Sequence, residues 1–442
     1  MNLKIKEISN YKSRLALFLK NNLLYSGLSY VFRLFVNLVI FALLARYFNV
    51  ASFGIISFLM VLINLISICI DLGYRLLIVR ELSVKKSLLS EDYLFPKFLL
   101  KLIVTFFITI IILIYSDIND YWGYSIPVII SLVISGLFHN LSNSIFAIFQ
   151  SFNKYKLESF SLLVMVIALS INLVISRRPD GIPIFFYGYA VSMIVTFIFA
   201  YFLLNLRVKS LNFENVNLPT LSYFRKELTI ILPFASIIVL EALNSSFDIF
   251  FVERFCSDVS LGEYSTFIRL VAGLTVFATI ISSASMPMIS RATTNGNIKS
   301  LKKLVVIYLG MIISGVCTFF LYFVFNEQVV EFLLGESYLF ILDWDKYIFI
   351  LTFSAYLRIL PGIFLVTYNK EKARSYLNAI VLVYGVIIFY FAVPGFESDI
   401  AVKTIVHIKI VATIVLLTYF SFLVYSDIKK KKLLRVYSSD LT

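Results

Sequence analysis

Four basic side chains of this 442-residue sequence stand inside otherwise apolar runs: Arg33, Arg269, Arg358 and Lys409. A cation at the centre of a membrane helix costs about 2.5–3.5 kcal/mol on insertion scales, so it faces a cavity, a counter-ion or a ligand. A guanidinium is a planar fork that meets phosphate or carboxylate oxygens through two parallel hydrogen bonds. Arginines in such surroundings therefore point to recognition of an anion. Each has polar company at helical spacing. Arg33 lies on a stripe with Asn22, Ser26, Ser29 and Asn37. Arg269 is one turn from Ser265, and Arg358 one turn from Ser354 and just ahead of Pro361-Gly362. Lys409 reads either as a cavity residue or as a side chain snorkelling outward along its window.

Three further stripes carry acids and amides. Glu241, Asn244, Ser245 and Asp248 share one face; Ser57, Asn64, Ser67, Asp71 and Arg75 share another; Ser131, Ser135, His139, Ser142 and Gln150 form the third. Polar stripes on so many apolar windows imply a wet interior. The expected substrate-path residues are Arg33, Arg269, Arg358, Asn37 and Asn64. Those expected to act in coupling or gating are Glu241, Asp248 and Asp71. Structural alternatives stand beside these roles. The Ser and Asn residues also serve as helix–helix glue, and His139 as a hydrogen-bonded packing residue. Arg75, Arg80, Lys85 and Lys86 suffice to fix topology.

The elements that hold these residues are membrane spans. Six windows fill the first half: 23–44, 53–70, 102–115, 124–149, 160–176 and 184–206. Six more fill the second: 228–252, 264–289, 304–325, 347–368, 376–393 and 404–425. A hydrocarbon core takes roughly 20 helical residues to cross. Without water to satisfy the backbone, each span is a helix. The third window is short and is expected to reach back to Phe98, with Lys101 snorkelling to the interface. The expected fold is an all-α integral membrane protein of twelve transmembrane helices, arranged as two parallel-related six-helix bundles around a central cavity. The expected organisation is an N-terminal bundle over residues 1–206, a cytoplasmic linker over 207–227, and a C-terminal bundle with a basic tail over 228–442.

Composition and charge agree. The chain is 60% hydrophobic and 15% charged, with a mean hydropathy of +0.91. The net charge of +13 is a matter of placement. Of 39 Lys+Arg, 29 fall in the termini and the even-numbered loops, against six in the odd-numbered loops. The positive-inside rule then puts both termini and every even loop in the cytoplasm. The basic charge reads as topology and contact with anionic headgroups, with no nucleic-acid partner. Cys69, Cys256 and Cys317 lack metal-ligand spacing, and the first apolar run lacks a small-residue cleavage site. Trp122 and Trp344 fall just outside windows four and ten, where interfacial aromatics belong.

The two halves are related. Arg46-Tyr47 with Ser52 and Gly54 recurs as Arg254-Phe255 with Ser260 and Gly262, an offset of 208 residues. Asn153-Lys154-x-Lys156-x-x-Ser159-Phe160 recurs as Asn369-Lys370-x-Lys372-x-x-Ser375-Tyr376, an offset of 216. An even number of spans gives both copies the same orientation, a parallel repeat about an axis along the membrane normal. At the first offset Arg33 corresponds to Glu241, so an ion pair or gate between the halves competes with a substrate role for Arg33.

Asn22-Leu-Leu-Tyr-Ser-Gly, Leu44-Ala-Arg46-Tyr-Phe followed by Phe53-Gly54, and Asp71-Leu-Gly73 resemble the Wzx-type O-antigen flippases. These form part of the polysaccharide-transport branch of the multidrug/oligosaccharidyl-lipid/polysaccharide exporter superfamily. The resemblance implies a multi-pass protein of the cytoplasmic (inner) membrane. It implies transfer of an undecaprenyl-diphosphate-linked oligosaccharide from the cytoplasmic to the periplasmic leaflet, beside other polysaccharide-assembly proteins. No cofactor is expected, and a proton or sodium gradient is the expected energy source. A diphosphate suits buried arginines, and hydroxyl, amide and aromatic walls suit sugars.

Two other classes are weighed. A drug or small-cation antiporter of the same superfamily shares the fold, but a cationic substrate favours acids over arginines. A membrane enzyme such as a polymerase calls for a large outer loop with catalytic arginines. The longest outer loop here, Asn326–Lys346, is mostly acidic, and no nucleophile elbow, phosphate loop or metal cluster is present.

Overall fold

The computed structural model describes residues 38–119, 126–177, 181–209, 219–278, 298–367, 371–393 and 398–439, and among these there is no strand. Arg33 and Asn37 lie outside the described residues, and so does the Arg33–Glu241 pairing. Each of the twelve apolar windows is helical over nearly all of its described residues: the first from Leu38, the eighth through Leu274 with one turn at 276–278 beyond it. Seven described helices are long and apolar enough to cross a bilayer, eight if one bent pair counts as a single span.

The chain divides into two compact units, Met1–Ala242 and Leu243–Thr442. Unit 1 contains α1 (Leu38–Tyr47), α2 (Val50–Asp71), α3 (Tyr74–Val84), α4 (Glu91–Asn119), α5 (Ile126–Ser151), α6 (Tyr155–Ile175), α7 (Gly181–Arg207) and the first part of α8 (Leu221–Phe255). α5 is its centre and packs against α2, α3, α4 and α7. Small residues make that possible. A Cβ placed on Gly136 would come within 2.7 Å of the Ile66 side chain, so the glycine sets the approach of α2.

Unit 2 contains the rest of α8, then α9 (Asp258–Leu274), α10 (Ile298–Val324), α11 (Asn326–Leu333), α12 (Asp345–Thr367), α13 (Glu371–Ala392) and α14 (Ser398–Ser439). α9, α12 and α14 pack on one another, with α10 against α12 and α13 against α14. The outer loop 326–346 is largely helical. α11 turns 79° from α10, and the Asp345 carboxylate holds the joint, accepting from Tyr322 Oη at 2.9 Å and Asn326 Nδ2 at 2.6 Å. Trp344 is buried within the protein: its indole packs edge-on against Phe267 and Phe340 at 5.8 and 5.7 Å.

The repeated sequence words are helix starts and stops. Asn49 caps α2, its Oδ1 accepting from Ser52 N at 2.8 Å. At the same offset of 208, Ser257 caps α9, its Oγ accepting from Ser260 N at 3.2 Å. Both side chains satisfy an amide that the first turn would otherwise leave open. The other word ends α5: Asn153 adopts φ 56°, the left-handed conformation that closes a helix, and Lys154 N bonds back to Phe149 O at 2.8 Å. Its second copy begins at Asn369, outside the described residues. Asp71-Leu-Gly73 is likewise a joint: Leu72 (φ 49°) and Gly73 (φ 85°) are left-handed and turn α2 into α3.

Polarity runs opposite to that of a water-soluble domain. Phe106, Phe107 and Ile111 on α4, Val174 on α6, Phe320 on α10 and Phe391 on α13 are exposed, whereas Lys101, Ser135 and Asp248 are buried. Apolar belts around polar cores place the protein in the bilayer as a multi-pass membrane protein.

Candidate functional site

In unit 1 the second and third polar stripes converge. A cleft of about 600 Å³ opens among α2, α3, α5, α6, α7 and α8, and Asn64, Asp71, Arg75, His139, Ser142 and Gln150 all line it. Helical periodicity brings this about: residues three and four apart on α2 face residues three and four apart on α5. Of the expected site residues, Asn64 and Asp71 are therefore together. Arg75, read as a topology residue, also lines this cleft.

The wall behind it holds a cation that sequence reasoning misplaced. Lys101 does not snorkel; it has no exposed surface. Its ammonium has three hydrogens and three acceptors: Asp71 Oδ1 at 3.1 Å, Asn140 Oδ1 at 2.6 Å and Ser144 Oγ at 2.6 Å. Asn140 in turn donates to Ser67 O at 2.8 Å, and Asp71 Oδ2 accepts from Arg75 N at 3.3 Å. A lysine held this way is saturated, because burying a charge is tolerated only when it is paired and hydrogen-bonded. The signal was present: Lys97, Lys101 and Thr105 repeat every four residues and mark a polar face running into an apolar window.

Lys97, one turn earlier, belongs to a second network. It is 2% exposed, with its Nζ 3.6 Å from Glu227 Oε1 and 3.9 Å above the Tyr93 ring. Glu227 on α8 also accepts from Tyr223 at 3.1 Å, and from Tyr74 at a marginal 3.5 Å. Burial first, and then the Glu227 carboxylate, push the Tyr74 and Tyr223 phenols up. The cluster ties α8 to α3 and α4 within unit 1.

Unit 2 is built differently. Asp248 on α8 is 3% exposed and accepts a short hydrogen bond from Tyr264 of α9. Lys409 on α14 donates to the main-chain oxygen of Asn244 at 2.9 Å, which turns it inward rather than out to the interface, and its Nζ lies 5.9 Å from the Phe247 ring. Phe247 can sit there because Gly385 of α13 has no side chain; a Cβ would meet the ring at 2.5 Å. The Lys409 ammonium feels both the Asp248 carboxylate and the Arg358 guanidinium. Arg358, midway along α12, is half-buried, and its Nε finds no hydrogen-bond partner among the described residues. The buried oxygens Asn244 Oδ1, Ser265 Oγ and Thr352 Oγ1 lack partners too.

Arg269 is half-buried on α9, and Glu241 is exposed on α8. In unit 1 the structure brings Asn64 and Asp71 together in one cleft; in unit 2 Lys409 is held inward on the Asn244 carbonyl and Asp248 on the Tyr264 hydroxyl, while Arg358 lies midway along α12. Among the described residues no group of His, Cys, Asp and Glu has the geometry of a metal site.

This architecture has known counterparts. An inward-facing multidrug resistance MATE family transporter of the MOP superfamily superposes with a TM-score of 0.72, over 89% of this chain and 95% of its own, at 13% identity. An outward-facing one gives 0.62 over 92% and 96%, also at 13%. A MOP superfamily transporter from Pyrococcus furiosus gives 0.64 over 92% and 96%, at 14%. Identities this low establish the fold, which is that of MOP superfamily transporters. No curated protein matches the chain. The model of the family described as polysaccharide biosynthesis protein matches residues 19–293. Well over half of the sequence is covered by that match, and the chain belongs to the polysaccharide biosynthesis protein family, of polysaccharide-transporter type within the MOP superfamily.

Proposed function

We propose that the protein flips an undecaprenyl-diphosphate-linked oligosaccharide, the repeat unit of O-antigen or a related surface polysaccharide, from the cytoplasmic to the periplasmic leaflet of the inner membrane. It works as a transporter by alternating access, with both termini cytoplasmic and exchange with protons or sodium ions as the driving reaction. The observation that carries this reading is Arg358, a half-buried guanidinium in a membrane helix whose Nε lacks an acceptor. A diphosphate supplies the oxygens that such a fork accepts bidentately. The amide- and hydroxyl-lined cleft of unit 1 suits a sugar, and the lipid tail stays in the bilayer as the head group crosses. Support also comes from the family itself and from the Pyrococcus furiosus fold neighbour, whose binding pocket of reversed polarity was taken to suggest a different function.

Export of a cationic drug on the same fold needs accessible carboxylates. Asp71 is engaged by Lys101, and Asp248 by Tyr264, so two of the three candidates are already committed. The direct test is a null strain. Lipid-linked oligosaccharide should accumulate on the cytoplasmic leaflet and the surface polysaccharide should vanish. Normal polysaccharide in a null strain with no second flippase overturns the reading.

A further inference from the structure

The wall of the unit 1 cleft holds polar groups of two kinds, those engaged within the protein and those left open. Asp71 has both oxygens engaged, Oδ1 by Lys101 Nζ at 3.1 Å and Oδ2 by Arg75 N at 3.3 Å. Asn140 is engaged by Lys101 and by Ser67 O. Arg75 and His139 also have partners within the protein. Ser142 donates its hydrogen to Phe138 O at 2.8 Å and keeps only acceptor capacity. Glu158 orients the Gln150 amide: Nε2 donates to both carboxylate oxygens, at 3.2 and 3.1 Å, which leaves Oε1 as a fixed acceptor. Asn64 on α2 and Asn143 on α5 line the same cleft, exposed and half-buried, and neither amide has a hydrogen-bond partner among the described residues.

We propose that Asn64, Asn143 and Gln150 are the specificity-determining residues of a sugar subsite in this cleft, and that the subsite takes uncharged pyranoses bearing hydroxyl or acetamido groups. A side-chain amide donates and accepts at once, as a hydroxyl or an acetamido group does, so each such pair satisfies both members. The charged side chains of the lining, Asp71 and Arg75, already have internal partners, so an amino or acidic sugar gains no free counter-charge there. Once a ligand displaces water from the cleft, an amide left unmatched weakens binding, and that makes the three residues selective. Asn143 and Gln150 are two turns apart on α5, about 10 Å at the helical rise, so the subsite is longer than one pyranose ring. A volume of about 600 Å³ agrees with more than one sugar, and Ile68, Val79 and Met165 offer apolar wall to their C–H faces. This inference rests on the flippase reading for the identity of the ligand.

The test uses purified full-length protein in detergent and two lipids: the lipid-linked oligosaccharide extracted from the null strain, and undecaprenyl diphosphate without sugar. Wild type should bind the glycolipid more tightly than the bare diphosphate. Asn64→Leu and Asn143→Leu should each weaken glycolipid binding about three- to tenfold and leave undecaprenyl diphosphate binding unchanged. The double variant should bind the two lipids nearly equally. Asn64→Ser and Asn143→Ser, which stay polar, cover the case in which the leucine variants do not fold, and should show smaller losses of the same kind. Arg358→Ala, by contrast, should weaken both lipids. Sugar analysis of the extracted glycolipid should find neutral hexoses or N-acetylhexosamines. Unchanged glycolipid binding by the folded variants, or equal loss of both lipids, overturns the inference and leaves the flippase reading standing. Equal binding of the two lipids by wild type does the same, as does a repeat unit made only of ionised sugars. Absence of binding of either lipid by wild type overturns the flippase reading itself, and the inference with it.

Discussion

Nζ of Lys101 lies 3.1 Å from Oδ1 of Asp71, a buried ion pair in which the lysine has no exposed surface. Two more acceptors, on Asn140 and Ser144, complete its coordination. The pair braces α2 and α4 against α5 at the back of the unit 1 cleft.

Removing one member leaves a bare charge without water, which costs about 3–5 kcal/mol. Asp71→Asn and Lys101→Met should each lower the detergent-solubilised unfolding temperature sharply. The double variant should unfold closer to wild type than either. A double variant less stable than both single ones contradicts the pairing.

The Glu227 cluster gives an ordering of effects. Tyr223→Phe deletes one hydrogen bond to a carboxylate, worth about 1.5 kcal/mol at this half-buried position. Glu227→Ala also orphans Lys97, which is 2% exposed, so it should cost more. Thermal unfolding of the two variants checks the order, and the reverse order rejects the network as drawn.

The duplicated caps should behave alike. Asn49→Ala and Ser257→Ala each remove one side-chain acceptor from a first helical turn, with an expected loss of about 1 kcal/mol apiece. The two sites lie in different units, and equal small shifts in unfolding temperature are the expected outcome. A large effect at one and none at the other would mean that the repeated words do different jobs.

Reporter fusions address orientation. Fusions after Pro179 and Glu336 should report the periplasm, and those after Lys156 and Lys303 the cytoplasm. An inverted pattern overturns the charge-based topology.

The spans were legible because a bilayer imposes one length and one backbone solution, so apolar windows of about 20 residues announce themselves. The stripes were legible for a related reason. Helical periodicity put Asn64 and Asp71 on one face of α2, and that face does line the cleft. What escaped was pairing across helices. Lys101 sits at the edge of an apolar run, where snorkelling and burial look identical in sequence, and only Asp71, Asn140 and Ser144 on neighbouring helices decide between them. Tyr264 read as an apolar residue because its hydroxyl matters only against Asp248. Arg75 carried a plausible topological role and so hid its place in the cleft. Lys409 was ambiguous until the Asn244 carbonyl was seen to hold it inward.

The most direct measurement of the central claim compares wild type, Arg358→Lys and Arg358→Ala for the leaflet distribution of lipid-linked oligosaccharide at matched protein abundance. The account predicts transfer to the periplasmic leaflet by wild type, reduced transfer by Arg358→Lys because an ammonium lacks the bidentate fork, and accumulation on the cytoplasmic leaflet with Arg358→Ala. Wild-type transfer by a stably folded Arg358→Ala protein would contradict it.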